Sequence, residues 1–399
     1  MDLTYSATDE AFRAEVRAFL EDHLAGDFRG LKGLGGPGRD HEALPERLAW
    51  NQHLAREGWT CVGWPTEHGG RGLSLWQQVI FHEEYARADA PGRVNHLGEE
   101  LMGPTLMAFG TPEQCARFLP PIVAVEELWA QGYSEPGAGS DLANVQTKAR
   151  LSDDGTEWIL DGQKVWTSNA HFSQWLFVVA RSEPGSQRHQ GLSFLLVPID
   201  QPGVEVRPIE QLTGGSEFNE VFFTGARTAA DLIVGEPGKG WGVAMGLLGF
   251  ERGVSTLGQV VGFARELDGV IALAKANGAI DDPVLRDRLA ASKVELEVMR
   301  ANALRVLSLV TGGEDSAAGG GAGSIFKLVW ANWHRRLGEL AMDVLGTGGL
   351  LAESAPYELS AWQRIFLFSR ADTIYGGSDE VQRNILAERV LGLPREPRG

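Results

Sequence analysis

The sequence predicts an α+β chain in three regions, helical at both ends with short strands between. Three observations carry this. Apolar residues recur at helical spacing up to about Val125 and again from about residue 241. Between 126 and 240 the pattern shortens to brief runs rich in β-branched and aromatic residues, separated by turn signals. The 399 residues, 43% of them hydrophobic, suffice for a large core and for two or three domains. The boundaries are 1–125, 126–240 and 241–399.

In the first region Thr8 is placed to cap a helix, with Asp9 and Glu10 favouring the helix dipole in its first turn. Phe12, Val16, Phe19 and Leu20 then fall on one face. Further helices are expected over LPERLAWNQHLAREG, SLWQQVIFHEEYARAD and the stretch around PEQCARFLPPIV. WPTEHGGRG (Trp64–Gly72) reads as a loop from its Gly and Pro content. In the second region VQTKARL, WILDGQKVW, WLFVVARS, LSFLLVPI, VEVRPI and NEVFFTG read as strands of a small β-barrel or sandwich, with a hairpin turn at Asp153–Thr156. In the third, VSTLGQVVGFARELDGVIALAKA and DPVLRDRLAASKVELEVMRANALRVLSLV have helical periodicity and predict an antiparallel bundle. Thr311–Ser324, rich in Gly, reads as a loop between its helices.

The net charge of −17 argues against nucleic acid, which needs clustered Lys and Arg, while leaving room for a local basic pocket around an anionic cofactor. Cys61 and Cys115 are too few for a disulfide framework and read as two buried thiols. MDLTYSATDE lacks the apolar core of a signal peptide, and no apolar run reaches the ~18 residues of a membrane span. The expectation is a cytoplasmic protein, and no metal site is predicted.

Two segments suggest a planar ligand with hydrogen-bonding heteroatoms. In SEPGAGSD (Ser134–Asp141) glycines allow close backbone approach and Ser134 and Ser140 offer hydroxyls. In KVWTSNA (Lys164–Ala170) a Trp stands beside two hydroxyl residues, suited to stacking and hydrogen bonding. Alone, the first also fits an ordinary loop and the second a strand edge with a core Trp. Together with WPTEHGGRG, VPIDQPGVEVRPI, GKGW and IYGGSDEVQRNILAERVLGL, in one order, they make the chain resemble the acyl-CoA dehydrogenase family over essentially its whole length. The resemblance is nearest to actinobacterial members with an IYGGS ending and a glutamate in a helix-borne ER pair, some of which act on steroid side chains.

That resemblance implies a helical N-terminal domain, a middle β-domain, a C-terminal four-helix bundle, FAD as cofactor and a tetramer. It implies an oxidoreductase of fatty acid or steroid catabolism, passing electrons to electron-transfer flavoprotein or a similar acceptor. Gln131, Tyr133 and Ser134 correspond to the flavin-facing stretch, and Ser140 to a residue between FAD and the CoA arm. Trp166 corresponds to the Trp beside the flavin, with Thr167 and Ser168 flanking N5; Ser378 and Glu380 correspond to contacts with the adenosine part. Arg252 corresponds to the family's helix Arg, for which the resemblance implies a role towards CoA or in structure.

The reaction removes an α-proton from an acyl-CoA thioester and passes a β-hydride to flavin N5, which calls for a carboxylate base and donors to the thioester oxygen. In many members the base precedes Gly-Thr in an IYEGT-like segment; here that position is Gly376, whose backbone N–H still serves the oxygen. In others the base comes from the ER helix, here Glu251–Arg252, so Glu251 is expected to be the base. An Arg that usually reaches FAD phosphate is absent from Leu273–Pro283, and Asp343 stands in or near a usual Gln position. Homotetramer and heterotetramer with a paralogous subunit therefore both stay open. So do two alternative readings: an acyl-CoA oxidase-like flavoenzyme, and an FAD-contributing subunit of a heteromeric dehydrogenase.

Overall fold

The computed structural model describes residues 5–36, 38–250, 255–311, 316–351 and 358–395. Its first helices are α1 (Ala7–His23), α2 (Leu44–Arg56), α3 (Leu75–Arg87), α4 (Gly103–Phe109) and α5 (Pro112–Val123). Strands β1 (Trp129–Gly132), β2 (Lys148–Leu151), β3 (Glu157–Ser168), β4 (Trp175–Arg181), β5 (Leu192–Pro198), β6 (Val204–Pro208), β7 (Phe218–Ala229) and β8 (Ile233–Val234) follow. Then come α6 (Gly240–Phe250), α7 (Ser255–Asn277), α8 (Pro283–Thr311), α9 (Ser316–Leu345), α10 (Ala361–Asp372) and α11 (Asp379–Ile385). They gather into two compact units. One comprises Leu24–Ser74 and Ala90–Gly253; the other comprises Met1–His23, Leu75–Asp89 and Val254–Gly399.

The first unit is built on one sheet of order β6-β7-β3-β2-β4-β5-β8, with β1 paired in parallel to β4. β4 and β5 are buried along almost their whole length, which explains why both read as continuous apolar runs. One face, including Phe177, Val179, Phe194 and Leu196, packs on Met102, Leu106, Phe118 and Leu247 from the flanking helices. The other, including Leu176, Val178, Leu195 and Val197, closes on Leu160, Val221 and Phe223. The hairpin from β2 to β3 turns through Asp154, which accepts from the Ser152 and Thr156 hydroxyls. Thr111 and Gln114 cap α5 reciprocally, with Pro112 where its missing N–H costs nothing. Cys61 is buried, whereas Cys115 is only half-buried.

The second unit is a helical bundle whose core includes Leu267, Val270, Leu296, Met299, Trp333, Leu337 and Leu340. α1 and α3 join it, tied by buried Arg13, which donates to Glu83 at 2.9 Å and Glu84 at 2.8 Å. The cap of α1 is Ser6 rather than Thr8: Asp9 N–H donates to the Ser6 hydroxyl, and the Asp9 carboxylate accepts from Ser6 in return. The sequence also misleads at Thr311–Ser324, because α9 already begins at Ser316. Its small residues serve packing: Ser324 is fully buried, and a Cβ on Gly321 would sit 3.0 Å from Val390. Within Leu273–Pro283, Gly278 ends α7 at φ +80°, and Asp282 accepts from Val284 N–H at the start of α8. No helix among the described residues is long and apolar enough to cross a membrane.

Trp333 is 1% exposed and donates its indole N–H to Ser292 O at 3.0 Å, joining α9 to α8. Trp333→Ala is expected to cost about 3–5 kcal/mol, read by urea unfolding. A loss below about 1 kcal/mol would mean this core collapses around the deletion.

Candidate active site

In the sheet unit the predicted residues converge on the end of β3. The register of β3 against β7 breaks between Lys164 and Thr167, where Val165 and Trp166 stand opposite the single Glu220. Trp166 takes φ +59°, a left-handed conformation that a bulky residue seldom adopts, and stands 58% exposed. Its ring meets Phe218 edge-on, with centroids 6.2 Å apart. The next residue, Thr167, is fully buried, and its hydroxyl has no partner among the described residues. Strained backbone, a displaced aromatic face and an unpartnered buried hydroxyl together suit a planar ligand with polar edges.

The SEPGAGSD turn is joined to this bulge. Glu135 and Ala138 exchange two backbone hydrogen bonds of 3.0 Å, closing a tight turn over Pro136–Gly137. Val165 N–H donates to Ser134 O at 2.9 Å. Fully buried Lys164 donates to Tyr133 O at 3.0 Å and pairs with Glu135 at 2.8 Å. Glu135 also accepts the Gln146 and Thr147 backbone N–H groups at 2.6 and 2.8 Å. Burial pulls the Lys164 ammonium down to about 8 against the attraction of Glu135. Burial alone would raise Glu135, but Lys164 and the donated hydrogen bonds hold it below its ordinary value. Both groups are therefore charged at neutral pH. Asn219 supports the far side, donating to Thr167 O at 2.9 Å.

Gln131 is half-buried on β1, and Ser134 and Ser168 are half-buried beside the bulge. Ser140 is exposed. The Tyr133 ring belongs to the core, edge-on to Phe177 and Phe194, with its hydroxyl 3.4 Å from Ala244 O. A cleft of about 340 Å³ beside the turn is lined by Glu135, Gly137, Thr147 and Gln163. A larger one, about 1100 Å³, lies among α2, the Thr66–His68 turn and α5; none of the predicted residues lines it, so size does not mark the site.

In the helical unit, Gly376 and Gly377 take φ +61° and +86° in succession. Gln382 donates to Gly376 O at 2.9 Å, while no acceptor among the described residues takes the Gly376 N–H. Ser378 caps α11, and Glu380 is exposed. Glu251 and Arg252 lie outside the described residues. Behind the glycines, buried His334 sits between two carboxylates: Nδ1 is 2.5 Å from Asp372 and Nε2 is 2.9 Å from Glu266. The second contact is an ion pair without hydrogen-bond alignment. Burial opposes the charged ring, yet Glu266 and Asp372 raise it to about 10.

Family models match three consecutive stretches: acyl-CoA dehydrogenase N-terminal domain over 6–126, middle domain over 130–226 and C-terminal domain over 238–391. This chain belongs to the acyl-CoA dehydrogenase family. Acyl-CoA dehydrogenase IpdE1 of Mycolicibacterium smegmatis is 63% identical over 398 residues, covering 98% of this chain and 99% of that protein. IpdE1 of Mycobacterium tuberculosis is 63% identical over 390 residues, with the same coverage. Among solved structures, the Tcur3481-Tcur3483 steroid ACAD is 30% identical with a TM-score of 0.84, covering 99% of this chain and 100% of that one. The ChsE4-ChsE5 complex from Mycobacterium tuberculosis is 28% identical with a TM-score of 0.80 and the same coverage. As an acyl-CoA dehydrogenase the chain is an oxidoreductase of thioesters. Lys164, Glu135 and Asn219 were missed by sequence reasoning. The available signal was a lysine set between the apolar run Trp158–Leu160 and the Val165–Trp166 pair of one strand.

Two outcomes follow from these charges. Lys164→Met leaves Glu135 buried and unpaired and is expected to cost about 3–5 kcal/mol in urea unfolding, with part recovered on adding Glu135→Gln. A loss below about 1 kcal/mol, the scale of an exposed pair, would deny the pair this role. His334 is raised in the folded state, so its contribution is fully present below its ordinary value of 6.5 and is lost as pH rises through about 10. The groups facing it are Glu266, Asp372 and, beyond Asp372, Lys327 and Tyr375. The thermal midpoint should decline over that window, and His334→Gln should flatten the decline; equal slopes would refute the assignment.

Proposed function

We propose that this chain is an FAD-dependent acyl-CoA dehydrogenase in which Glu251 removes the α-proton and the Gly376 N–H receives the thioester oxygen. The observation that carries the reading is the bulge at Trp166: an exposed aromatic held at positive φ beside a buried, unpartnered Thr167 hydroxyl. These residues fit a flavin. Ser134, Trp166, Thr167 and Ser168 would hold its ring system, with Gln131 and the Tyr133 backbone alongside. Ser140 would lie towards the CoA arm, and Ser378 and Glu380 would serve the adenosine part. When bound, FAD supplies the acceptor for the hydride leaving the β-carbon.

The chain's own task is the proton. An α-proton is poorly acidic, so the base must act while enolate charge is met by a fixed donor. The Gly376 N–H, with no acceptor among the described residues, suits that donor. A side chain at 376 would have to adopt φ +61°, a left-handed conformation costing about 1–2 kcal/mol outside glycine. This favours a base located elsewhere in the sequence, and Glu251 is the carboxylate the family pattern offers.

A relative described as a steroid ACAD supports a bulky, ring-bearing acyl group. The two-component ChsE4-ChsE5 complex supports a tetramer shared with a paralogous subunit. Asp343 points the same way, being engaged by Arg288 at 2.7 Å. Electron-transfer flavoprotein or a similar carrier would accept the electrons, in the cytoplasm.

The test is anaerobic titration of the flavin-loaded protein, alone and with a co-expressed paralogue, against linear, branched and steroid-ring acyl-CoA thioesters. Bleaching of the flavin by at least one is expected, without peroxide on turnover in air. Glu251→Gln should keep flavin and lower kcat by about 10²–10⁴-fold. Near-normal turnover in that variant would remove Glu251 from the mechanism, and a loaded protein that no thioester bleaches would remove the activity.

A further inference from the structure

The cluster behind the two glycines has no part in the chemistry just described, yet it ends on the residue before Gly376. We propose that Glu266, His334, Asp372 and Tyr375 are positioning residues that fix the direction of the Gly376 N–H. The clamp stands on geometry; its catalytic consequence rests on the reading of Gly376 as donor to the thioester oxygen.

The turn needs such a device. Consecutive glycines have more conformational freedom than any other pair, and Gly376 is exposed. A donor to a developing oxyanion must nevertheless hold its aim closely, because a displacement of about 1 Å costs about 10²-fold in rate. On the far side, Gln382 holds Gly376 O. On the near side, Tyr375 N–H donates to Ala371 O at 3.0 Å, and the Tyr375 hydroxyl donates to Asp372 Oδ1 at 2.6 Å. Asp372 is 1% exposed and cannot drift: its other oxygen meets His334 on α9, and its backbone oxygen accepts from Lys327. His334 in turn faces Glu266 on α7. Residues of three helices thus stand in series behind one phenolic oxygen, and the next residue is Gly376.

The charges explain why the cluster persists inside the protein. Two carboxylates stand against one imidazolium, and Lys327 donates to the Asp372 backbone oxygen beside them. Buried ionic sets often add little stability over apolar packing and instead select one arrangement. Tyr375 fits that purpose. The residue is 37% exposed, yet its hydroxyl is directed at the buried carboxylate.

The experiment uses the flavin-loaded protein, in complex where a paralogue proves necessary. Tyr375→Phe removes one hydroxyl and keeps the ring; Asp372→Asn is the second variant. Amide hydrogen exchange over 373–378 should quicken about tenfold or more, the scale of one hydrogen bond to a charged group. With a thioester that bleaches the wild type, kcat should fall about 10–100-fold with KM nearly unchanged, and Tyr375→Phe should keep its thermal midpoint. Unchanged exchange in both variants overturns the clamp. Faster exchange with unchanged kcat overturns the positioning role while leaving the dehydrogenase reading intact. A wild type that bleaches with no thioester counts against that reading instead, and the exchange measurement still decides the clamp.

Discussion

The buried pair Lys164–Glu135 is the constraint on which the glycine turn and the neighbouring bulge depend. The two stand 29 positions apart in sequence, and each belongs to a segment that would otherwise be free to shift. Lys164 sits on β3 one residue before the bulge, and Glu135 opens the glycine turn. A lysine with no exposure is tolerable only against a carboxylate, and that carboxylate only with its oxygens occupied. The Gln146 and Thr147 N–H groups complete the set. Because breaking one member strands the others, the turn and the bulge hold a single arrangement.

That rigidity makes the strain at Trp166 sustainable. A bulky residue at positive φ persists only where its surroundings over-determine it. Val165 is bonded to Ser134, Thr167 to Asn219, and Lys164 to both Tyr133 and Glu135. The indole is the one group of this stretch left projecting outward. The arrangement expends buried polar interactions, of modest net worth in stability, to define one exposed surface.

The segments bearing this chemistry were legible because they are locally unusual. Glycine clusters and a Trp beside two hydroxyl residues stand out in a single reading, and the strands stand out by their β-branched and aromatic content. Lys164 and Glu135 were not legible as a pair: each looks ordinary until β3 turns the lysine inward. His334, Asp372 and Glu266 lie on three helices, and periodicity assigns faces without identifying neighbours. At Thr311–Ser324 glycine content suggested a loop, whereas close packing of Gly321 against Val390 favours helix from Ser316. The cap of α1 shifted from Thr8 to Ser6 because only Ser6 has Asp9 three residues on to close the reciprocal pair.

The two units solve one problem in similar ways. Each presents a backbone feature that has to be held in place: a Trp strained at φ +59° in one, two freely moving glycines fixed in left-handed conformations in the other. Each is backed by a buried cation between acceptors, Lys164 in the sheet and His334 in the bundle. A neutral hydrogen bond would hold either feature less firmly, because charge-assisted bonds in a low-dielectric interior are stronger and costlier to break. In the proposed mechanism, a side chain at 376 would add left-handed backbone strain to a turn whose donor is its N–H. On that reading, glycine leaves the turn to direct its N–H while a residue elsewhere in the chain takes the proton.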